Sequence, residues 1–367
     1  MQAQKSSQNS APRATVPGDG EPEGSLSQDR KPMRAVDKTG SPPSRSLLHW
    51  TAVGWRTLQK IGTSLHFLAV PWPPRPDFSI SIPSTLSSNP GTIRLRFYLP
   101  RDFEISAGTG KTYPAVVNFH GGGFVLGNAT DDARFARFVL EICDAVFISV
   151  DYRLAPEYPF PTPVDDGADA ILYVIRHAAE LRINPLKLAT SGFSAGGNIA
   201  ITALLRLASH PPSTPVPEYR FVALAAWYPV LDYTLTRAER RASAIRPDQT
   251  IPPTLTDLFD NSYLYPPELD LADPLLSPAL ASDDLLKRGI PKKVLLYTCE
   301  WDMLMDEGQK FAARLRELPL GKRVHYSTIP GVTHGWDKGP NPVRVVPGSE
   351  EAYRDCCGRM RDIFKDD

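Results

Sequence analysis

Cysteine is scarce in this chain: four in 367 residues, too few for a disulfide framework. Cys356 and Cys357 are adjacent, and Cys299 sits in an apolar run where a small buried side chain is expected. Net charge is also missing. Lys plus Arg and Asp plus Glu stand at 41 each, so no long-range field favours nucleic acid or an anionic membrane. The run Arg237-Ala238-Glu239-Arg240-Arg241 mixes signs and reads as a solvated helix face. No apolar run approaches the length that spans a bilayer. The opening Met1-Gln2-Ala3-Gln4-Lys5-Ser6 has no apolar core, so a secretory leader is not expected. Without secretion the sequon Asn128-Ala129-Thr130 has no consequence. Internal repeats are absent. The expectation is a soluble, cytoplasmic protein with a small-molecule partner, no nucleic acid and no transmembrane segment. A homodimer is compatible with the sequence, which does not otherwise give the oligomeric state.

Proline, by contrast, is abundant, 37 residues, and its distribution marks the boundaries. Residues 1–45 are rich in Ser, Pro, Gly, Gln and charge and cannot bury enough surface to offset their ordering entropy, so a disordered tail is expected. Within 46–76, Leu47, Leu48, Trp50, Val53, Trp55, Leu58, Ile61, Leu65 and Leu68 recur at mostly helical spacing, which predicts one amphipathic helix or a broken pair. It packs on the body, with membrane-surface attachment the lesser reading. Pro71, Pro73, Pro74 and Pro76 end it.

From residue 77 strands and helices alternate. Strand-length runs cover 92–99, 113–119, 145–150, 186–190, 221–227, 293–299 and 323–329, with helical patterns at 133–143, 163–181, 195–207, 306–318 and 350–364. This predicts an α/β domain over 77–367, a mostly parallel sheet with helices on both faces. A Pro-rich excursion at 231–278 breaks the rhythm. With 46–76 it is assigned to a helical cap, because ligands bind at the carboxyl ends of the strands.

Chemistry concentrates at four places. Gly192-Phe193-Ser194-Ala195-Gly196 lies between a strand run and a helix run, where a sharp turn would push the Ser194 hydroxyl outward. His120-Gly121-Gly122-Gly123 follows the strand at 113–119, and its backbone N–H groups can approach a ligand closely. A plain glycine turn is the bland reading, and the spacing fits no phosphate-binding pattern. Together the two motifs match a nucleophile facing an oxyanion hole, in which a base and an orienting acid should follow in the order Ser, acid, His. His334, in a glycine-flanked loop past the strand at 323–329, fits the base, whereas His325 reads as a strand side chain. Asp302, in the loop past the strand at 293–299, is the favoured acid, with Asp306 and Glu300 behind it. Asp306 and Glu307 open the next helix, where carboxylates act as caps and dipole partners.

These motifs, with Asp151-Tyr152-Arg153-Leu154-Ala155-Pro156-Glu157, stand in the order found in the hormone-sensitive-lipase-like (family IV) carboxylesterases, the arylacetamide deacetylase-like enzymes, which the chain resembles from about Thr92 to its end. Phe193 departs from the pattern, since many relatives carry an acid or Thr there. The resemblance implies an α/β-hydrolase fold and a bracing role for Asp151 and Arg153. It also implies an acyl-enzyme mechanism with Ser194, His334 and Asp302, and Gly122, Gly123 and Ala195 as oxyanion donors. No metal or organic cofactor is required. Phe124, Val125, Leu126, Trp336, Trp50, Trp55 and Leu258 suggest an apolar pocket for short or medium acyl chains. A transacylase, thioesterase or lactonase would use the same triad, and a non-catalytic receptor on this fold is a further alternative.

Overall fold

The computed structural model describes residues 43–211 and 214–366. Residues 1–42, nearly all of the expected tail, lie outside the described residues. Ser44 caps the first helix, its side chain accepting from the Leu47 N–H. That helix, α1 (Arg45–Leu68), is one continuous rod rather than a broken pair. Then follow β1 (Phe78–Pro83), β2 (Thr92–Tyr98), β3 (Tyr113–Phe119), α2 (Ala133–Phe138), β4 (Val146–Asp151), α3 (Thr162–Arg176), β5 (Ile183–Phe193) and α4 (Ala195–Ser209). The second half contains β6 (Phe221–Trp227), α5 (Arg237–Ser243), α6 (Pro253–Tyr263), α7 (Asp283–Gly289), β7 (Lys293–Cys299), α8 (Met305–Arg316), β8 (Arg323–Ile329) and α9 (Ser349–Asp366).

The strands form one sheet in the order β1-β2-β4-β3-β5-β6-β7-β8. β1 and β2 pair antiparallel with each other and β2 with β4; from β4 to β8 all pairs are parallel. The inner strands are almost wholly apolar because both faces are covered. Alternate residues prove it: Ala115, Val117 and Phe119 join one core with α3, α4, α7 and α8, while Val116 joins the other with α2 and α9. No helix among the described residues is long and apolar enough to cross a membrane.

Four differences from the expectation have local causes. β1 was missed because Phe78–Pro83 pairs only with β2 and is largely exposed, so its pattern is short and ends in proline. β5 starts at Ile183, ahead of the apolar run, across a register irregularity at Leu188/Ala189. The helix expected over 133–143 changes at Val139 to a π turn ending at Asp144 in a left-handed conformation. The basic run 237–241 is not simply a solvated face. Arg240 is buried, its guanidinium donating to Glu307, and Arg237 pairs with Asp260.

Candidate active site

Ser194 occupies the turn between β5 and α4 with φ 54° and ψ −118°, a conformation a non-glycine residue adopts only when its surroundings force it. Its N–H donates to the Trp227 carbonyl at 2.8 Å. The turn closes because Gly196 has no side chain: a Cβ there would lie 2.0 Å from the Phe119 carbonyl oxygen at the end of β3. That approach sets the Ser194 turn against the glycine loop that follows β3.

His334 lies five residues beyond β8. Its Nδ1 is 2.6 Å from Asp302 Oδ2, and its Nε2 is 2.7 Å from Ser194 Oγ. A carboxylate can only accept, so the ring proton sits on Nδ1 and Nε2 is left to accept from the serine hydroxyl. Asp302 is 1% exposed, and its other oxygen accepts from the Leu304 N–H at 3.0 Å. The Tyr228 ring stands edge-on to the His334 ring, centroids 4.9 Å apart. The alternative acids have other partners. Asp306 pairs with Lys310, and Glu300 accepts from the Gly331 N–H, tying the loops after β7 and β8 together. Glu307 is no surface cap. Leu304 occupies the cap position, and buried Glu307 accepts from the Leu231 N–H and Arg240, anchoring the 231–278 excursion to α8. Burial pushes the Glu307 carboxyl upward, against the pull of Arg240. His325 lies in β8, near Asp355 and away from this cluster.

The glycine loop presents Gly122 at φ 116° and Gly123 at φ 61°. Among the described residues, no protein acceptor is bonded to the N–H groups of Gly122, Gly123 or Ala195. A Cβ on Gly121 would meet the Phe193 carbonyl at 3.0 Å and Ser194 Cβ at 3.6 Å, so this loop borders the serine. His120 is buried. Its ring nitrogen bonds the Gly121 carbonyl, and its ring stacks on Tyr152, whose hydroxyl donates to the His120 carbonyl. The sequence marks Asp151 and Arg153 by their charge but gives no sign of the Tyr152 stack, since a ring between charged residues does not show what it faces. Asp151 accepts from Arg96 and from the Ala129 N–H, which fixes the chain just past the glycines. Arg153 grips Asp166 with two nitrogens and also the Asn89 carbonyl.

α1 is stitched to the same loop. Arg56 donates to the Val125 and Ala155 carbonyls, while Gln59 accepts from the Gly127 N–H and donates to Asp131. Arg134 on α2 reaches the His66, Ala69 and Pro71 carbonyls and so collects the orphan acceptors at the end of α1. None of these polar contacts can be read from an amphipathic pattern.

A cavity of about 570 Å³ opens over Ser194 and His334, between α1 and α6. Trp55 and Leu58 line it from α1, Leu255 and Phe259 from α6, and Leu126 from the glycine loop. The expected set of pocket residues therefore needs correction. Trp55 and Leu126 are there. Phe124 stacks on Tyr263 in the core, Val125 and Leu258 are buried in the same core, and Trp336 packs against Tyr228. Trp50 points away, 68% exposed. No group of His, Cys, Asp and Glu among the described residues could hold a metal ion.

Comparison with known proteins gives the family. Residues 116–338 match the α/β-hydrolase fold family model. An arylesterase of Saccharolobus solfataricus is 35% identical over 252 residues, 68% of this chain and 75% of its own. An AB hydrolase superfamily protein of Schizosaccharomyces pombe is 32% identical over 236 residues, 64% of this chain and 66% of its own, so the chain spans just under two thirds of that relative. The hyperthermophilic esterase of Pyrobaculum calidifontis superposes with a TM-score of 0.70 at 29% identity, covering 88% of this chain and 99% of the esterase. With the family match extending over more than half of its length, the chain belongs to the α/β-hydrolase superfamily, in the hormone-sensitive-lipase-like branch of carboxylesterases.

Proposed function

We propose that this carboxylesterase hydrolyses short- to medium-chain carboxylic esters through an acyl-enzyme on Ser194. The observation that carries the assignment is the unbroken hydrogen-bonded line Asp302–His334–Ser194 beside three backbone N–H groups without protein acceptors among the described residues. His334 Nε2 takes the hydroxyl proton as Ser194 Oγ attacks the ester carbonyl. Asp302 keeps the ring proton on Nδ1 and stabilises the imidazolium that forms. The N–H groups of Gly122, Gly123 and Ala195 receive the negative charge of the tetrahedral oxygen. His334 then gives its proton to the departing alcohol. A water deprotonated by the same nitrogen attacks the acyl-enzyme, and Ser194 recovers its proton as the acid leaves.

Support for the chain-length range comes from the cavity. Its volume of about 570 Å³ suits a small ester, and Trp55, Leu58, Leu255 and Phe259 offer apolar walls. α1 and the 231–278 excursion together act as the cap over it. The test is hydrolysis of p-nitrophenyl esters from acetate to palmitate by the wild type and Ser194→Ala, with fluorophosphonate labelling in parallel. Turnover should be highest for the short and middle esters and vanish, together with labelling, in the variant. Wild-type labelling and turnover in folded Ser194→Ala would refute the nucleophile. A maximum at palmitate would refute the chain-length range.

A further inference from the structure

One lysine stands between the nucleophile turn and the base, and the mechanism above gives it no part. Lys338 lies four residues after His334, in the short helical turn Trp336–Lys338, and its side chain is 27% exposed on the cavity floor. Its ammonium is 2.9 Å from Asp132 Oδ1, 3.0 Å from Asp337 Oδ2 and 3.2 Å from the Tyr353 hydroxyl. It also sits 3.8 Å from the centroid of the Phe193 ring. The Phe193 ring is also stacked on Trp227, with centroids 5.5 Å apart and 7° between the planes. Phe193 is the residue immediately before Ser194.

Two arms leave this ammonium. The first runs through Asp337, whose Oδ1 accepts from the Tyr228 hydroxyl at 2.5 Å; the Tyr228 ring is the edge-on neighbour of His334. The second runs through Asp132, whose other oxygen accepts from Asn118 Nδ2 at 2.7 Å; Asn118 Oδ1 in turn accepts from the Ser191 hydroxyl at 2.7 Å. Ser191 lies in β5, three residues before the nucleophile. One cation thus touches the aromatic ring under Ser194, braces the strand that leads to it, and holds the tyrosine that flanks the base. Burial opposes the ammonium charge, but Asp132 and Asp337 outweigh it and keep Lys338 protonated. A buried carboxylate pair of this kind would repel without its cation.

We infer that Lys338 is a positioning residue for ester hydrolysis, locking the nucleophile turn through Phe193 and the base through Asp337 and Tyr228. This rests on the proposed roles of Ser194 and His334. Since small displacements of reacting groups cost about 10²-fold in rate, removal of the ammonium should act on the chemical step and not on substrate binding. The cation–π contact links the ammonium directly to the residue that precedes Ser194.

The test uses Lys338→Met, Lys338→Arg and Tyr228→Phe in the full chain, assayed with p-nitrophenyl acetate well below each variant's melting temperature. Lys338→Met should lower kcat by about 10- to 100-fold with KM within about twofold, and slow fluorophosphonate labelling of Ser194 to the same degree. Lys338→Arg, which keeps the charge and can lie on the ring, should recover to within about tenfold of wild type. Tyr228→Phe removes one hydroxyl and should lower kcat in the same direction. Combined with Lys338→Met, it should cost less than the product of the two single losses. Wild-type kcat and labelling in folded Lys338→Met would overturn the proposal, as would full multiplication of the two losses. A loss confined to KM would overturn it too. Ser194→Ala assayed alongside separates the cases: its survival would remove the nucleophile assignment, whereas an inert Ser194→Ala with an unaffected Lys338→Met removes only the lysine's role.

Discussion

Asp302 and Asp306 are four residues apart and serve different partners. Asp302 is buried and holds His334 Nδ1 at 2.6 Å, while Asp306 pairs with Lys310 across one turn of α8. The difference predicts unequal effects of one chemical change. Asp302→Asn replaces an obligatory acceptor by a group that can turn a donor towards the ring, which would favour the wrong imidazole tautomer; a fall in kcat of about 10⁴-fold is expected. Asp306→Asn should stay within about twofold, as exposed ion pairs are worth little. Steady-state turnover of both variants on p-nitrophenyl butyrate decides it, and the reverse ranking would reassign the acid.

Gly123 supports a second prediction. Its φ is 61°, and a Cβ there would lie 2.3 Å from ring carbons of Phe259 on α6. Gly123→Ala therefore either displaces α6 or turns the Gly123 N–H, the proposed oxyanion donor, and loss of one such donor typically costs about 10²–10³-fold. Adding Phe259→Ala makes room for the methyl group. Partial recovery of kcat in the double variant is expected; a double variant no better than Gly123→Ala would show that the clash with Phe259 is not the cause.

A third concerns pH. Burial, and next the Arg134 charge, hold the His66 imidazole down to about 4, and its Nε2 accepts from Arg134 Nε. The unfolded chain takes up that proton near the ordinary histidine value of about 6.5. His66 therefore contributes stability that is present at neutral pH and is lost as pH falls from about 6.5 towards 4. Asp131 acts with the opposite sign. Burial pushes its carboxyl up to about 6, so the folded state gains on the unfolded one as pH falls from about 6. Comparing wild type with His66→Gln cancels the Asp131 contribution. The wild type's advantage in urea unfolding should shrink by on the order of 1–2 kcal/mol between pH 7 and about pH 4.5. A difference independent of pH would contradict the neutral, Arg134-bonded histidine.

The meeting of Ser194, Asp302 and His334 was legible because each follows directly or closely on a strand, and parallel strands deliver their carboxyl ends to one rim. Gly196 and the His120–Gly123 loop were legible for a related reason: glycine clusters mark close backbone approach. What surrounds them was not. Hydrophobicity marks burial but not which buried ring faces the cavity, so Phe124, Leu258 and Trp336 were indistinguishable from Trp55 and Leu126. Arginines that end in carbonyl groups, such as Arg56 and Arg134, leave no periodic trace. Lys338 stands beside glycine and proline, where a lysine ordinarily points to solvent, and the approach of Asp132 from a distant turn leaves no local trace in the sequence.

Among the described strands β8 is paired only with β7, and its residues are at least partly exposed throughout. Ser194, by contrast, ends a strand clasped by β3 and β6. His334 thus hangs from an edge of the sheet, and Ser194 from its interior. Thermal fraying begins at such margins. Warming should silence turnover several degrees before the far-ultraviolet ellipticity collapses, and prompt cooling from that interval should restore it; coincident loss of both signals would mean that the outermost strand melts only with the whole.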